Sequence, residues 1–192
     1  MRIAEKSVCE YPWYLRPFFW NQRRKYGQVL KPALLWGRVP PVFLCVACLY
    51  GALTRRNSPL TPLLRSLVTV RVSQINWCRF CIDLNSMALF RLSGSMEKVG
   101  QLAYWRTGSV FSDQERAALD YAEAMTFSDQ HVSDGLMEEL KRHFDDAAII
   151  ELTGLIAFQN MSSKFNAALD VPAQGFCQTG VPPAERRTAA DK

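Results

Sequence analysis

The apolar stretches of this chain are divided by capping and helix-stopping residues, and no alternating apolar–polar run survives between them. Pro40-Pro41 opens a helix expected to reach about Arg56. Thr61 followed by Pro62 is an N-cap with proline at the first helical position, opening Leu63 to about Ile75. A helix from about Trp77 to about Leu92 stops at Ser93-Gly94. Ser95 opens the next, which ends near Gly108. Ser112-Asp-Gln-Glu115 is a capping box starting a helix to about Thr126. Ser133 to His143 reads as a short helix, and Asp145 caps a long one reaching about Leu169. The β-branched stretch Leu67–Ile75 is the best strand candidate, but its Thr-Pro start and its length favour helix. The expectation is an all-α chain whose segments after Pro40 form one bundle-like core.

The two ends break this pattern. Residues 1–10 look like a loose terminus. Residues 11–20 carry Tyr11, Trp13, Tyr14, Phe18, Phe19 and Trp20, interrupted by Pro12 and Pro17, which predicts an irregular aromatic arm. Such an arm must lie on its own core or on a neighbouring subunit. From Val171 onward Pro, Gly and small polar residues predict a loose tail. The chain therefore divides into an arm over 1–35, a helical domain over 36–170 and a flexible tail over 171–192.

Composition narrows the chemistry. Apolar residues make up 48% and charged residues 21%, an ordinary globular balance. The chain has six cysteines and two histidines, His131 and His143, so one chain cannot build a three-histidine zinc site. The net charge of +5 is scattered in small groups such as Arg23-Arg24-Lys25 and Arg186-Arg187. No nucleic-acid motif gathers it, and no nucleic-acid partner is expected. The longest apolar run, Val42–Leu53, has 12 residues, too few to span a bilayer, and reads as a buried helix. No secretory signal is apparent, so a reducing cytoplasm is expected and a disulfide framework is not.

Two CxxC pairs share one spacing, Cys45-Val-Ala-Cys48 and Cys78-Arg-Phe-Cys81. Together they have the ligand count of a four-thiolate zinc site. Yet Cys45 and Cys48 lie inside a solid apolar run, where cysteine behaves as a small buried hydrophobe, so they are assigned to the core. Cys9 and Cys177 lie in the ends. Cys78 and Cys81 sit where a helix begins, near the positive end of its dipole, with Arg79 adjacent. Two intervening residues let the thiols meet within one turn, as a dithiol that cycles between reduced and oxidised forms. The alternative is two helix cysteines packed in a core. At 100° per residue Cys78, Cys81, Asn85 and Leu92 share one side, and Asp83 points away. On the preceding helix Ser66, Thr69 and Ser73 form a polar stripe that faces a small wet pocket or bonds back to its own carbonyls.

The segment Leu64–Asn85, and within it Val72-Ser-Gln-Ile-Asn76 leading to the CxxC, resembles the core of the carboxymuconolactone decarboxylase / AhpD-like alkylhydroperoxidase family, closest to its peroxidase-related branch. Tyr104–Gly108, Phe111–Leu119, Ala122–Ala124 and Ile156–Asn160 are similar to the family's segments downstream of that core, so the likeness covers roughly 36–170. The resemblance implies an AhpD-like helical bundle assembling as a homo-oligomer (dimer, trimer or hexamer), with no cofactor. It implies peroxide reduction in which Cys81 becomes a sulfenic acid and Cys78 resolves it. Dipole reasoning alone favours Cys78 as the more acidic thiol. Two positions depart from the family pattern. Its glutamate 12 residues before the first cysteine is Ser66 here, and its histidine four residues after the second is Asn85. Neither exchanges a proton near neutral pH, and losing such a relay costs about 10²–10⁴ in rate.

The expected function is a weakened thiol-dependent peroxidase or disulfide oxidoreductase, acting on a peroxide or small disulfide and recycled by a thiol reductant. One alternative is a non-catalytic oligomeric or partner-binding protein. The other is a cofactor-free lyase or isomerase on a small acid, with Arg71 and Arg79 holding its carboxylate.

Overall fold

Helix forms wherever the caps allow it. The computed structural model describes residues 1–177, in which the regular elements are helices: α1 (Arg16–Tyr26), α2 (Lys31–Trp36), α3 (Pro40–Leu53), α4 (Pro62–Ile75), α5 (Arg79–Ser93), α6 (Met96–Gln101), α7 (Asp113–Ala124), α8 (Asp134–Lys141) and α9 (Asp146–Ala168). Short 3-10 turns lie at Val8–Glu10, Trp13–Leu15 and Leu102–Tyr104. No strand occurs among the described residues. The caps act as their residue types predict. Thr61 Oγ1 accepts from the Leu64 N–H at 3.2 Å, and Asp145 Oδ1 accepts from the Ala148 N–H at 2.8 Å. Ser112 and Glu115 close a reciprocal box, and Gly94 ends α5 at φ 66°.

Helix α4 is the hub, packing against α5, α7 and α9. Leu64, Val68 and Val72 join Ala118, Leu152 and Ile156 in the largest core cluster. Leu67 and Val70 face the other way, onto Leu89, Leu102 and Trp105. This two-sided burial explains why a β-branched stretch stays helical. The propensity penalty is at most about 0.7 kcal/mol per residue, against roughly 1.5–3 kcal/mol for each buried aliphatic side chain.

The bundle departs from the sequence expectations in four places. First, the arm is only partly irregular. Helix α1 starts at Arg16, because Pro17 falls in its first turn, where a backbone N–H has no partner to lose. Tyr11, Leu15 and Phe19 pack on Ala33, Leu34 and Phe43 of the same chain, and the Tyr11 hydroxyl donates to the Leu34 carbonyl at 2.7 Å. Trp13 and Trp20 stay 76% and 63% exposed.

Second, α3 is not a buried helix, and Cys45 and Cys48 are not core residues. Both thiols are exposed, as are Val42, Leu44 and Leu49. Helix α3 lies on the outside of the bundle, so only one of its faces turns inward, through Phe43, Val46, Ala47 and Leu53. Third, the helix opened by Ser95 stops at Gln101, where a 3-10 turn carries Leu102 and then Trp105 into the core.

Fourth, residues 1–10 and 171–177 are held to the bundle at defined points. The Arg2 N–H donates to the Leu169 carbonyl at 2.8 Å. The N–H groups of Gln174 and Cys177 donate to the Asp83 carboxylate at 2.8 and 2.6 Å. The rest of the predicted tail, 178–192, lies outside the described residues. No helix among the described residues is long and apolar enough to cross a membrane.

Candidate functional site

The joint between α4 and α5 places the two thiols. Trp77 adopts the left-handed conformation at φ 56°, a position usually given to glycine. The chain doubles back there, and the Cys78 N–H donates to the Ser73 carbonyl at 3.1 Å. Cys78 thereby closes α4 and caps α5 at once. Its Sγ accepts from the Cys81 N–H at 3.1 Å, and it forms a disulfide with Cys81 across a Cα–Cα distance of 5.2 Å. Cys78 is fully buried behind this turn. Cys81, one turn along, lines a cleft of about 300 Å³ bounded by α1, α2, α3, α5 and α9.

The cleft is mostly apolar, with walls that include Phe18, Phe43, Leu84 and Phe158. Tyr26 and Tyr50 add phenols, and Lys25 adds a cation. Tyr50 is 47% exposed overall and lines the cleft beside Tyr26. Desolvation and the neighbouring Tyr26 phenol push its pKa up to about 12. Polar groups converge on the floor. Asn85 Nδ2 and Gln159 Nε2 both donate to Ser73 Oγ, at 3.3 and 3.0 Å. Ser73 commits its own hydrogen to the Thr69 carbonyl at 2.5 Å. Asn166 Nδ2 donates to Cys81 Sγ at 3.2 Å.

The expected site residues are thus brought together unevenly. Cys81 and Asn85 line the cleft, and Ser73 reaches it through the Asn85 and Gln159 amides. Thr69 bonds back to the Arg65 and Ser66 carbonyls, and Ser66 is not among the lining residues. Leu92 is 48% exposed at the far end of α5. Neither histidine lines the cleft.

Arg71 and Arg79 do not face it either. Arg71 is buried in an ion pair with Glu123, joined there by Trp105 and Arg106, while Arg79 reaches Asp170 at 2.6 Å. Burial pushes Glu123 up, but Arg71, Arg106 and the Trp105 N–H outweigh it and hold the carboxyl below its ordinary 4.5. The hydrogen bond and charge of Arg79 likewise hold the exposed Asp170 low. Among the described residues, no group of three or more His, Cys, Asp or Glu side chains converges as a metal site.

Sequence reasoning missed Gln159 and Asn166, as well as the wall supplied by α1. A signal for the first two existed. Gln159, Ser163 and Asn166 are buried polar residues at i, i+4 and i+7 on one face of α9, an otherwise apolar helix.

The all-α bundle that carries this cleft has the fold of AhpD-like proteins. The chain belongs to the carboxymuconolactone decarboxylase family, whose model matches residues 43–124. It is 47% identical over 171 residues to the uncharacterized protein YnjA of Escherichia coli strain K12, covering 89% of this chain and 94% of that one. Its fold is also that of an uncharacterized peroxidase-related protein with an alkylhydroperoxidase AhpD core from Ralstonia eutropha JMP134, at TM-score 0.84 and 22% identity over 95% of this chain and 97% of that one. The debrominase Bmp8, solved as a cysteine-to-alanine variant with 2,3,4-tribromopyrrole, shares the fold at TM-score 0.78 and 22% identity, covering 91% of each chain.

Proposed function

We propose that the protein is a thiol-dependent peroxidase that reduces organic hydroperoxides, or small disulfides by the same exchange chemistry, through Cys78 and Cys81. The observation that carries this is the division between the two sulfurs. Cys81 lines an apolar cleft that an organic substrate fits, and Cys78 lies directly behind it within bonding range. The Cys81 thiolate attacks the terminal oxygen of the hydroperoxide. The S–O bond forms, the O–O bond breaks, and the alkoxide leaves and takes a proton from water. The Cys78 thiolate then displaces hydroxide from the sulfenic acid, and that hydroxide also takes a proton. The net change is one hydroperoxide and two thiols to one alcohol, one water and one disulfide. An external thiol reductant returns the two electrons, as the cytoplasm supplies.

Helix N-terminal stabilisation goes to Cys78, whose sulfur accepts the Cys81 N–H. That suits the resolving thiol, which must be a thiolate when the sulfenic acid forms. The amide and hydroxyl groups around the cleft hold no general base in place of the family's histidine and glutamate, so turnover is expected to be slow.

The test is reduced protein given one equivalent of tert-butyl hydroperoxide, followed by alkylation and mass spectrometry. A Cys78–Cys81 disulfide should form, and Cys81→Ser should abolish peroxide consumption. A Cys81→Ser protein that consumes peroxide as fast as the parent refutes the mechanism.

A second reading, a non-catalytic assembly or partner-binding protein, draws on the apolar surface of α1 and α3, where Trp20, Val42, Leu44 and Leu49 are exposed. It predicts no turnover and no effect of either thiol substitution. Homo-oligomer formation through this surface is compatible with both readings. The lyase reading loses its support, because both arginines it needs are engaged by carboxylates away from the cleft.

A further inference from the structure

Cys81 differs from Cys78 in what supports its sulfur. Cys78 occupies the helix N-cap and accepts a backbone amide. Cys81 sits within the first turn, and its Sγ is held instead by the side-chain amide of Asn166, 85 residues away on α9. Asn166 is 1% exposed. A buried amide is costly unless both its ends are bonded, yet Asn166 Oδ1 accepts no hydrogen bond from the protein although the residue lines the cleft. The opposite orientation of the amide would set its oxygen against a disulfide sulfur, which carries no proton. The NH2 groups of Asn85 and Gln159 are turned to Ser73. Asn166 is therefore the amide whose donor meets the reactive sulfur and whose buried acceptor is uncommitted.

We propose that Asn166 binds the reacting atoms of the site, its Nδ2 donating to the Cys81 thiolate and its Oδ1 accepting from the O–H of the bound hydroperoxide. The assignment rests on the peroxidase reading. In the disulfide the bond from Nδ2 is weak, and on reduction it becomes charge-assisted and favours thiolate. The O–H that Oδ1 accepts is on the oxygen being attacked. That proton stays on the same oxygen as the S–O bond forms and the alkoxide departs, so Oδ1 then holds the Cys81 sulfenic acid. Cys78 approaches from the opposite side and displaces hydroxide as before. One side chain thus orients the thiolate and the oxygen it attacks, without itself exchanging a proton.

The test uses the full chain with Asn166→Ala and Asn166→Asp, checked for native helicity by circular dichroism. In a Cys78→Ser background, the pH profile of Cys81 alkylation by iodoacetamide is followed on the Cys81 peptide by mass spectrometry. The other titratable groups around the cleft are Lys25 and Tyr26 on α1 and Tyr50 on α3. On α5, Arg79 is turned to Asp170, and Asp83 to the N–H groups of Gln174 and Cys177. Asn166→Ala should raise the alkylation midpoint by about one pH unit, and Asn166→Asp, which keeps the shape but replaces the donor with a negative charge, by more. With both cysteines present, single-turnover oxidation by cumene hydroperoxide at pH 7 should slow about tenfold or more in each variant.

Midpoints that coincide with the parent's in both variants overturn the proposal. If Asn166→Ala does not fold, Asn166→Asp decides by the same criterion. A parent that alkylates normally but ignores cumene hydroperoxide refutes the peroxidase reading, and the midpoints then still decide whether Asn166 holds the thiolate.

Discussion

Glu123 is a buried charge that pairs with Arg71 across the α4–α7 contact. Its side chain is 3% exposed, and that of Arg71 is 8% exposed. Arg71 Nε donates to Glu123 Oε1 at 2.6 Å, Trp105 Nε1 donates to the same oxygen at 2.8 Å, and Arg106 takes Oε2. Glu123→Gln preserves the shape but leaves the Arg71 guanidinium buried beside a neutral amide. Breaking such a pair costs about 3–5 kcal/mol, most of it the penalty on the stranded charge. Arg106 is 54% exposed and is resolvated, so it adds little. For a chain of this size each kcal/mol moves the melting temperature by roughly 2–4 °C, so Glu123→Gln should melt about 6–20 °C below the parent.

Circular dichroism at 222 nm measures this, and the double variant Arg71→Met with Glu123→Leu should recover at least half of the loss. The pH dependence is set by the direction of the shift. The folded Glu123 carboxyl is held below its ordinary 4.5, so its stabilisation is full above that value and is lost as pH falls through the lower folded value. The gap between parent and Glu123→Gln should therefore be complete at pH 7 and narrow in acid below about 4.5. A Glu123→Gln protein melting within about 2 °C of the parent at pH 7 would refute the claim that this pair is held dry.

The remaining predictions concern thiols, residues 172–177 and the cleft mouth. Native protein without reductant should be alkylated at Cys45 and Cys48 without denaturant, because both thiols are exposed, whereas Cys78 and Cys81 should react only after reduction; protection of Cys45 and Cys48 that persists in a proven monomer would contradict the placement of α3. Asp83→Ala removes the acceptor of the Gln174 and Cys177 N–H groups and should cost about 1–3 kcal/mol, with faster proteolysis over residues 172–177. Unchanged cleavage there would mean that Asp83 does not anchor residues 174–177. In an absorbance titration at 295 nm the last phenol should ionise near 12 and be missing from Tyr50→Phe. Because the raised value favours the protonated form when folded, stability should fall as pH rises from 10 toward about 12, and a titration ending near 10 would refute the desolvation of that phenol.

Much of the backbone was legible because it is set locally. A cap is a contact over three residues, so Thr61, Ser95, Ser112, Ser133 and Asp145 could be read as helix starts from their neighbours alone, and each accepts the predicted N–H. The CxxC at a helix start was legible for the same reason. Composition misled at α3, where a run of apolar residues does not say which face has a partner. It also misled at Pro17, where proline starts a helix rather than preventing one.

The sequence by itself thus determined the helices that follow Pro40, most of their starts and the thiol pair, because short-range hydrogen bonds and steric limits set these. The tertiary structure alone decided which cysteine meets the cleft, that Arg71 is internal and that α3 is exposed. It alone brought Asn166 on α9 to the sulfur of Cys81 on α5. Those outcomes depend on which helix faces pack together across tens of residues, and packing is settled by mutual burial rather than by any one segment.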